Sequence, residues 1–263
     1  MRLETCITLL LTCVVSIPAW ANGNDILVEM PNTQPAHWSL SEVPTIGSFL
    51  ARLDVERDVV VAMYRPSYEA VQYVEKNTCR KRVEALSPVR YRMRDVFTRD
   101  RSMTKQALLD LVESMSVTGR VLDYAPFDPL RFGAEPEMNR RLREGDLMVV
   151  LAPPQTIWIW DVGRGWHERP HAPAKSVLDY GREVLRNRDA RGDFAYWIGP
   201  RGEFDLLGVA PHNRSSRVIP PGSILFFPPP GFGRSEQPAY QCIGQFMRYQ
   251  DTRGLTTTSR WAR

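Results

Sequence analysis

His167 and His171 have the spacing that would put two imidazoles on one face of a helix, where a zinc ion could bridge them. Pro170 lies between them and the surroundings read as a turn, so no metal site is expected. Asp123 and Asp128 are a second pair of interest, because glycoside hydrolysis uses two carboxyl groups flanking the scissile bond. Asp128-Pro129 starts a turn, however, and turn capping accounts for an aspartate there. Gly163-Arg164-Gly165 is too short for a phosphate-cradling loop, and no strand-to-helix glycine fingerprint follows it. There is no Gly-x-Ser-x-Gly nucleophile elbow, and neither Cys79 nor Cys242 has the neighbours that activate a thiolate. The expectation is a protein without catalytic residues, cofactor or metal.

Binding chemistry is better represented. Flat rings stack on the apolar face of a pyranose, and Trp158, Trp160, Trp166, Tyr196 and Trp197 fall in one short stretch. Most of these must be core, since five large exposed rings on a small unit would make an aggregation patch. Cys79 and Cys242 are the cysteines left once a leader is removed; they either form one disulfide or are two separately buried thiols.

The elements that must position these residues follow from composition and pattern. With 43% hydrophobic, 24% charged and 10% aromatic residues over 263 positions, the chain has the makings of a packed core, which excludes disorder, collagen and coiled coil. The net charge of +4 is spread without a polybasic block, and lysine occurs only at Lys76, Lys81, Lys105 and Lys175, so nucleic acid is not an expected partner. Residues 1–21 read as a signal peptide: Arg2, an apolar run from Ile7 to Ile17, Pro18 and then Ala19-Trp20-Ala21 as a cleavage site. The mature chain would start at Asn22 in an exported compartment, with no membrane-spanning stretch after it.

Strands are expected at 25–30 and 58–63, with a loop rich in Pro and Ser between them that holds a short helix at 46–53. Two helices follow within about 67–116. The first places Val71, Tyr73, Val74, Val83 and Leu86 on its apolar side; the second is capped by Thr104, lined by Leu108, Leu109, Val112 and Met115, and stopped by Gly119. They would stand as a hairpin off a β unit that resumes at 120–124 and 147–151. From 156 to 230 the order strand, strand, helix, strand, strand, strand is that of a β-grasp unit, one mixed sheet clasping one helix. Four of these five strands are placed at 156–162, 193–198, 203–209 and 223–227, with Ser176 capping the helix. Residues 231–263 form a tail with a short amphipathic helix at 238–249.

The order of short motifs carries a resemblance. Gly119-Arg120, Asp128-Pro129, Arg131, Asn139-Arg140-Arg141-Leu142, Ser176-Val177-Leu178-Asp179-Tyr180, Gly199-Pro200-Arg201-Gly202-Glu203 and Pro220-Pro221-Gly222-Ser223 together resemble the GfcC family of capsule-biosynthesis proteins, from about Leu108 to Phe246. The resemblance implies an α+β fold: two β-grasp domains (22–155 and 156–230) similar to the soluble domains of the polysaccharide exporter Wza, a helical hairpin inserted in the first, and an amphipathic helix closing the chain. It implies a periplasmic, non-enzymatic role beside group 4 capsule and exopolysaccharide export systems, with capsular or exopolysaccharide, the outer-membrane export protein, or both as partners. It also implies that Arg120 faces a cleft between the hairpin and the first domain. There its donor fork would grip a uronate carboxylate or sugar hydroxyls, or would tie a helix end to the sheet. Gly244 departs from a membrane-active terminal helix, since glycine lowers helix stability by about 1 kcal/mol, so the helix is expected to dock on its own chain. The rival readings are an enzyme acting on glycosidic bonds of the same polymer and a β-grasp adaptor that binds only protein.

Overall fold

Alternating and continuous apolar runs build ten strands around five helices among the described residues. The computed structural model describes residues 24–30, 33–53, 60–86, 101–126, 139–162, 165–184, 193–228 and 236–250. The leader reading at 1–21 lies outside them, as do Asp128, Arg131 and Gly163-Arg164.

In the first half, β1 (Asp25–Glu29) pairs antiparallel with β2 (Ala36–Ser39) and parallel with β5 (Leu147–Leu151), which also borders β3 (Val60–Tyr64); β3 pairs with β4 (Arg120–Pro126). The resulting five-stranded order is β2-β1-β5-β3-β4. Between β2 and β3, helix α1 (Ile46–Arg52) starts at a capping box: the Ser48 amide donates to Thr45 Oγ1 at 3.2 Å and the Thr45 amide to Ser48 Oγ at 3.0 Å. Ile46, Phe49 and Leu50 of α1 then cover Ile26, Val28, Val61, Met63, Met148 and Val150 on one face of the sheet.

The second half repeats this wiring. β6 (Thr156–Asp161), β7 (Gly165–Pro170), α4 (Val177–Val184), β8 (Phe194–Ile198), β9 (Phe204–Gly208) and β10 (Ile224–Phe227) form a sheet of order β7-β6-β10-β8-β9, with β6 and β10 parallel. Both sheets thus read second, first, fifth, third, fourth strand, with a helix between the second and third. Strands β6, β8 and β10 are apolar on successive residues because both faces are covered. Ile157, Ile159, Trp197, Leu225 and Phe227 face α4, whereas Trp158, Trp160, Tyr196, Ile198, Ile224 and Phe226 face a second layer of helices.

That layer is made by α2 (Pro66–Glu84) and α3 (Arg101–Ser114), which lie between β3 and β4 in the chain, and by the terminal helix α5 (Gln237–Met247). The helix pair packs against α5, which lies on the second sheet, and α2 also meets β4 of the first.

Several sequence expectations change. Ala36–Ser39 is a strand inside the Pro- and Ser-rich loop, and Gly165–Pro170, which read as a turn, is a charged edge strand. Thr104 is inside α3, which begins at Arg101, and the helix ends at Ser114, well before Gly119. The buried side of α2 is Gln72, Cys79 and Val83, while Val71, Tyr73 and Val74 are 50%, 61% and 64% exposed. At about 100° per residue, positions 72, 79 and 83 fall close to one line, Val74 lies nearly opposite it, and Val71 and Tyr73 lie about 100° to either side.

Candidate functional site

Gly119 and Arg120, which open β4, sit where α2, α5 and the second sheet meet. Gly119 adopts φ 68, and a Cβ there would lie 2.6 Å from the Arg65 carbonyl oxygen, so only glycine fits. This close approach lets the Arg65 amide donate to the Gly119 carbonyl at 2.7 Å. Gln72 fills the space behind it. Fully buried, its Oε1 accepts from the amides of Thr118 and Gly119, both at 3.0 Å, and its Nε2 donates to the Arg120 carbonyl at 2.8 Å. One side-chain amide thereby bonds three backbone groups.

Arg120 is 5% exposed, and its Nη1 donates to the Gln250 carbonyl just past the end of α5. Gln250 in turn pairs with Ser116 as a strand would: the Ser116 amide donates to Gln250 Oε1 at 2.9 Å, and Gln250 Nε2 donates to the Ser116 carbonyl at 3.1 Å. Arg248 Nε donates to the Gly202 carbonyl at 2.6 Å. The end of α5 is thus held from both units, with cationic side chains at its carbonyl end as the helix dipole favours. The cleft beside Arg120 is lined by Gly199, Pro200, Gly222 and Met247 and has room for about 20 Å³, the volume of one water molecule rather than a pyranose. The structure brings together here three of the segments quoted from the sequence, those of Gly119-Arg120, Gly199-Pro200 and Pro221-Gly222. Arg120 Nη1 thus ties β4 to the end of α5, and the cleft beside it is water-sized.

Cys79 on α2 and Cys242 on α5 are joined by a disulfide, with Cα atoms 5.4 Å apart across 163 positions of sequence. A buried ion pair lies in the first unit, at the start of α2. Arg65 presents both edges of its fork to Asp146, with Nε to Oδ1 and Nη2 to Oδ2 each at 2.8 Å; Asp146 is fully buried and also accepts the Arg143 amide at 2.8 Å. Gln72, Gln250 and the Arg65–Asp146 pair are residues that sequence reasoning did not single out. Nothing in their spacing marks them, because their partners are 46 or more positions away.

The five aromatic candidates are all core, at 7% exposure or less. Trp197 Nε1 donates to Ser223 Oγ at 3.0 Å, and Arg217 lies 4.4 Å above the Trp197 ring. Burial pushes the Tyr196 phenol up to about 12. His167 Nε2 lies 3.0 Å from Asp161 Oδ2 on the neighbouring strand, whereas His171 Nε2 lies 3.0 Å from the Ile219 carbonyl, so the two histidines have separate partners. Among the described residues no group of three or more His, Cys, Asp or Glu assembles as a metal site. Asp123 is in β4, while its suggested mate Asp128 is outside the described residues. Among the described residues, no helix is long and apolar enough to cross a membrane.

Compared with known proteins, the chain matches no family model and no curated protein.

Proposed function

We propose that this chain is a non-enzymatic periplasmic protein of capsule or exopolysaccharide assembly, a GfcC-like tandem β-grasp protein that binds the polysaccharide. The observation that carries this reading is the repeated strand order, second-first-fifth-third-fourth with a parallel central pair and one helix after each opening hairpin. A β-grasp unit is wired in this way, and two in tandem are what the resemblance implies. In the same reading α2 and α3 are a hairpin inserted between the third and fourth strands of the first unit, and α5 is the closing helix. Fold alone does not confer function; the functional part of the proposal rests on the resemblance, in which such proteins accompany polysaccharide export.

The leader at 1–21 would carry the chain to the periplasm, and an oxidising compartment suits the bond between Cys79 and Cys242. The test is direct. Mature protein, residues 22–263, is titrated with the organism's own exopolysaccharide, and the gene is deleted in parallel. Saturable binding together with reduced surface or secreted polymer is the expected result. Normal polymer in the deletion strain, with no binding in the titration, overturns the proposal; shortening of the polymer by the protein would transfer it to the enzyme reading.

A further inference from the structure

A groove of about 550 Å³ runs along α2 beside the end of α3, on a different face from the Arg120 cleft. Its volume falls in the range of about 300–1,000 Å³ typical of small-ligand sites. Tyr73, Lys76, Asn77 and Arg80 line one wall, and the chain from Glu113 to Val117 lines the other. Tyr73 is 61% exposed, and among the described residues it is the one large aromatic side chain so open to solvent. A helix that needed only to pack would not hold a tyrosine ring against a polar groove.

The cations of the groove are already engaged. Lys76 Nζ donates to the Glu113 and Met115 carbonyls at 2.9 and 2.8 Å, closing the end of α3. Arg80 Nε donates to Glu84 at 3.0 Å and its Nη1 lies 3.2 Å from Glu113 Oε1, with its pKa raised first by the bond to Glu84 and then by the charge of Glu113. A carboxylated ligand would find each lining cation already held, Lys76 by two carbonyls and Arg80 by two carboxylates, and would meet Glu113. The ring, the Asn77 amide, which donates to no described residue, and the half-exposed Arg80–Glu113 pair form a different set. A pyranose offers an apolar C–H face to an aromatic ring and hydroxyls that are each donor and acceptor. Amide and guanidinium–carboxylate pairs satisfy neighbouring hydroxyls from both sides, and an exposed ion pair is weak enough to admit them.

We propose that this groove is a subsite for a neutral pyranose of the exported polysaccharide, stacked on Tyr73 and hydrogen-bonded by Asn77 and the Arg80–Glu113 pair. The inference rests on the polysaccharide-binding reading above and adds to it the sugar class and the place.

The test uses the mature chain with the organism's exopolysaccharide and with its neutral and acidic oligosaccharide fractions, separated by anion exchange and titrated calorimetrically. The neutral fraction is expected to bind. Tyr73→Ala should weaken it about tenfold, the loss of one stacking contact, while Tyr73→Phe keeps it within about twofold. Melting temperatures should be unchanged in both variants, because the ring is exposed. Equal binding of the neutral fraction by Tyr73→Ala, or preference for the acidic fraction, overturns the subsite. If whole polymer binds wild type and Tyr73→Ala alike, the subsite falls and the polysaccharide-binding reading stands; if whole polymer does not bind wild type, both fall.

Discussion

Opening the disulfide between Cys79 and Cys242 is the most quantitative perturbation the structure offers. The bond closes a loop spanning 163 positions. In the chain-entropy treatment a closed loop of that length removes about 17 cal/mol/K from the unfolded chain, which is about 5 kcal/mol at 25 °C. Native stabilities are about 5–15 kcal/mol, so this one bond would carry a third or more of the total. Both sulfurs are buried, at 1% and 8% residue exposure, so reduction leaves two apolar-like thiols in place and opens no cavity. The assay is urea unfolding followed by tryptophan fluorescence, with the chain oxidised, with reductant present throughout, and as the Cys79→Ala/Cys242→Ala variant. With a slope of about 2.5 kcal/mol/M the midpoint should fall by about 2 M on reduction. The variant should fall a little further, since it also loses packing volume. Hydrogen exchange should rise first in α2 and α5, the two helices the bond joins, and later in the first sheet. Midpoints within about 0.3 M of one another for oxidised and reduced protein would refute the reasoning, because the magnitude depends on loop length and not on local contacts.

Four further outcomes follow from particular contacts. Arg65→Met leaves the Asp146 carboxylate buried without its guanidinium and should cost about 3–5 kcal/mol in a thermal melt; a loss under about 1 kcal/mol would contradict the pairing. Arg120→Ala removes a charged donor from the Gln250 carbonyl, costing about 1.5–3 kcal/mol, and amide exchange at 245–250 should rise; unchanged exchange there would dismiss the tie. Gly244→Ala gains about 1 kcal/mol of helix propensity, but its Cβ would sit 2.7 Å from Phe204 Cε2, so we expect net destabilisation in urea, relieved by Phe204→Leu; a stabilised single variant would reverse this account. Tyr196 has a folded pKa of about 12 against about 10 when unfolded, so its contribution is complete below pH 10 and is lost as pH rises towards 12. Urea midpoints at pH 9 and pH 11 should therefore fall less in Tyr196→Phe than in wild type, and equal falls would remove Tyr196 from the explanation.

The second sheet, apart from its edge strand Gly165–Pro170, was legible because its physics is one-dimensional. Thr156–Asp161, Phe194–Ile198 and Ile224–Phe227 are apolar on consecutive residues, which only strands buried on both faces tolerate, and Ser176, whose amide and hydroxyl both donate to Asp179, marks a helix start. The short strand Ala36–Ser39 was not legible, since a four-residue edge strand with an exposed His37 has no pattern that a loop lacks. The face of α2 was misread for a specific reason. The residue that must be inside is Gln72, whose amide bonds the backbone of Thr118, Gly119 and Arg120, while the apolar Val71 and Val74 are exposed. Long-range polar ties of this kind leave no periodicity. The cysteine pairing was equally undetermined from spacing, because the two helices that pack together and carry it lie about 160 positions apart in the chain.

Gly244 read from sequence as a weakness of the terminal helix, and in the structure it is what lets that helix approach. Phe204 stacks on Tyr196 with centroids 5.4 Å apart, and both rings lie against the glycine. With α5 this close, Tyr240, Ile243, Phe246 and Met247 are each 3% exposed or less. Large apolar side chains contribute about 1.5–3 kcal/mol each when buried, so these four hold α5 with roughly 6–12 kcal/mol, before the disulfide and the Arg120–Gln250 contact are added. That is comparable to the stability of a whole domain. Releasing α5 to enter a bilayer or line a pore would also uncover Trp158, Trp160, Tyr196 and Phe226 on the second sheet, a patch that water would not leave bare. The helix therefore belongs to the core that joins the two units.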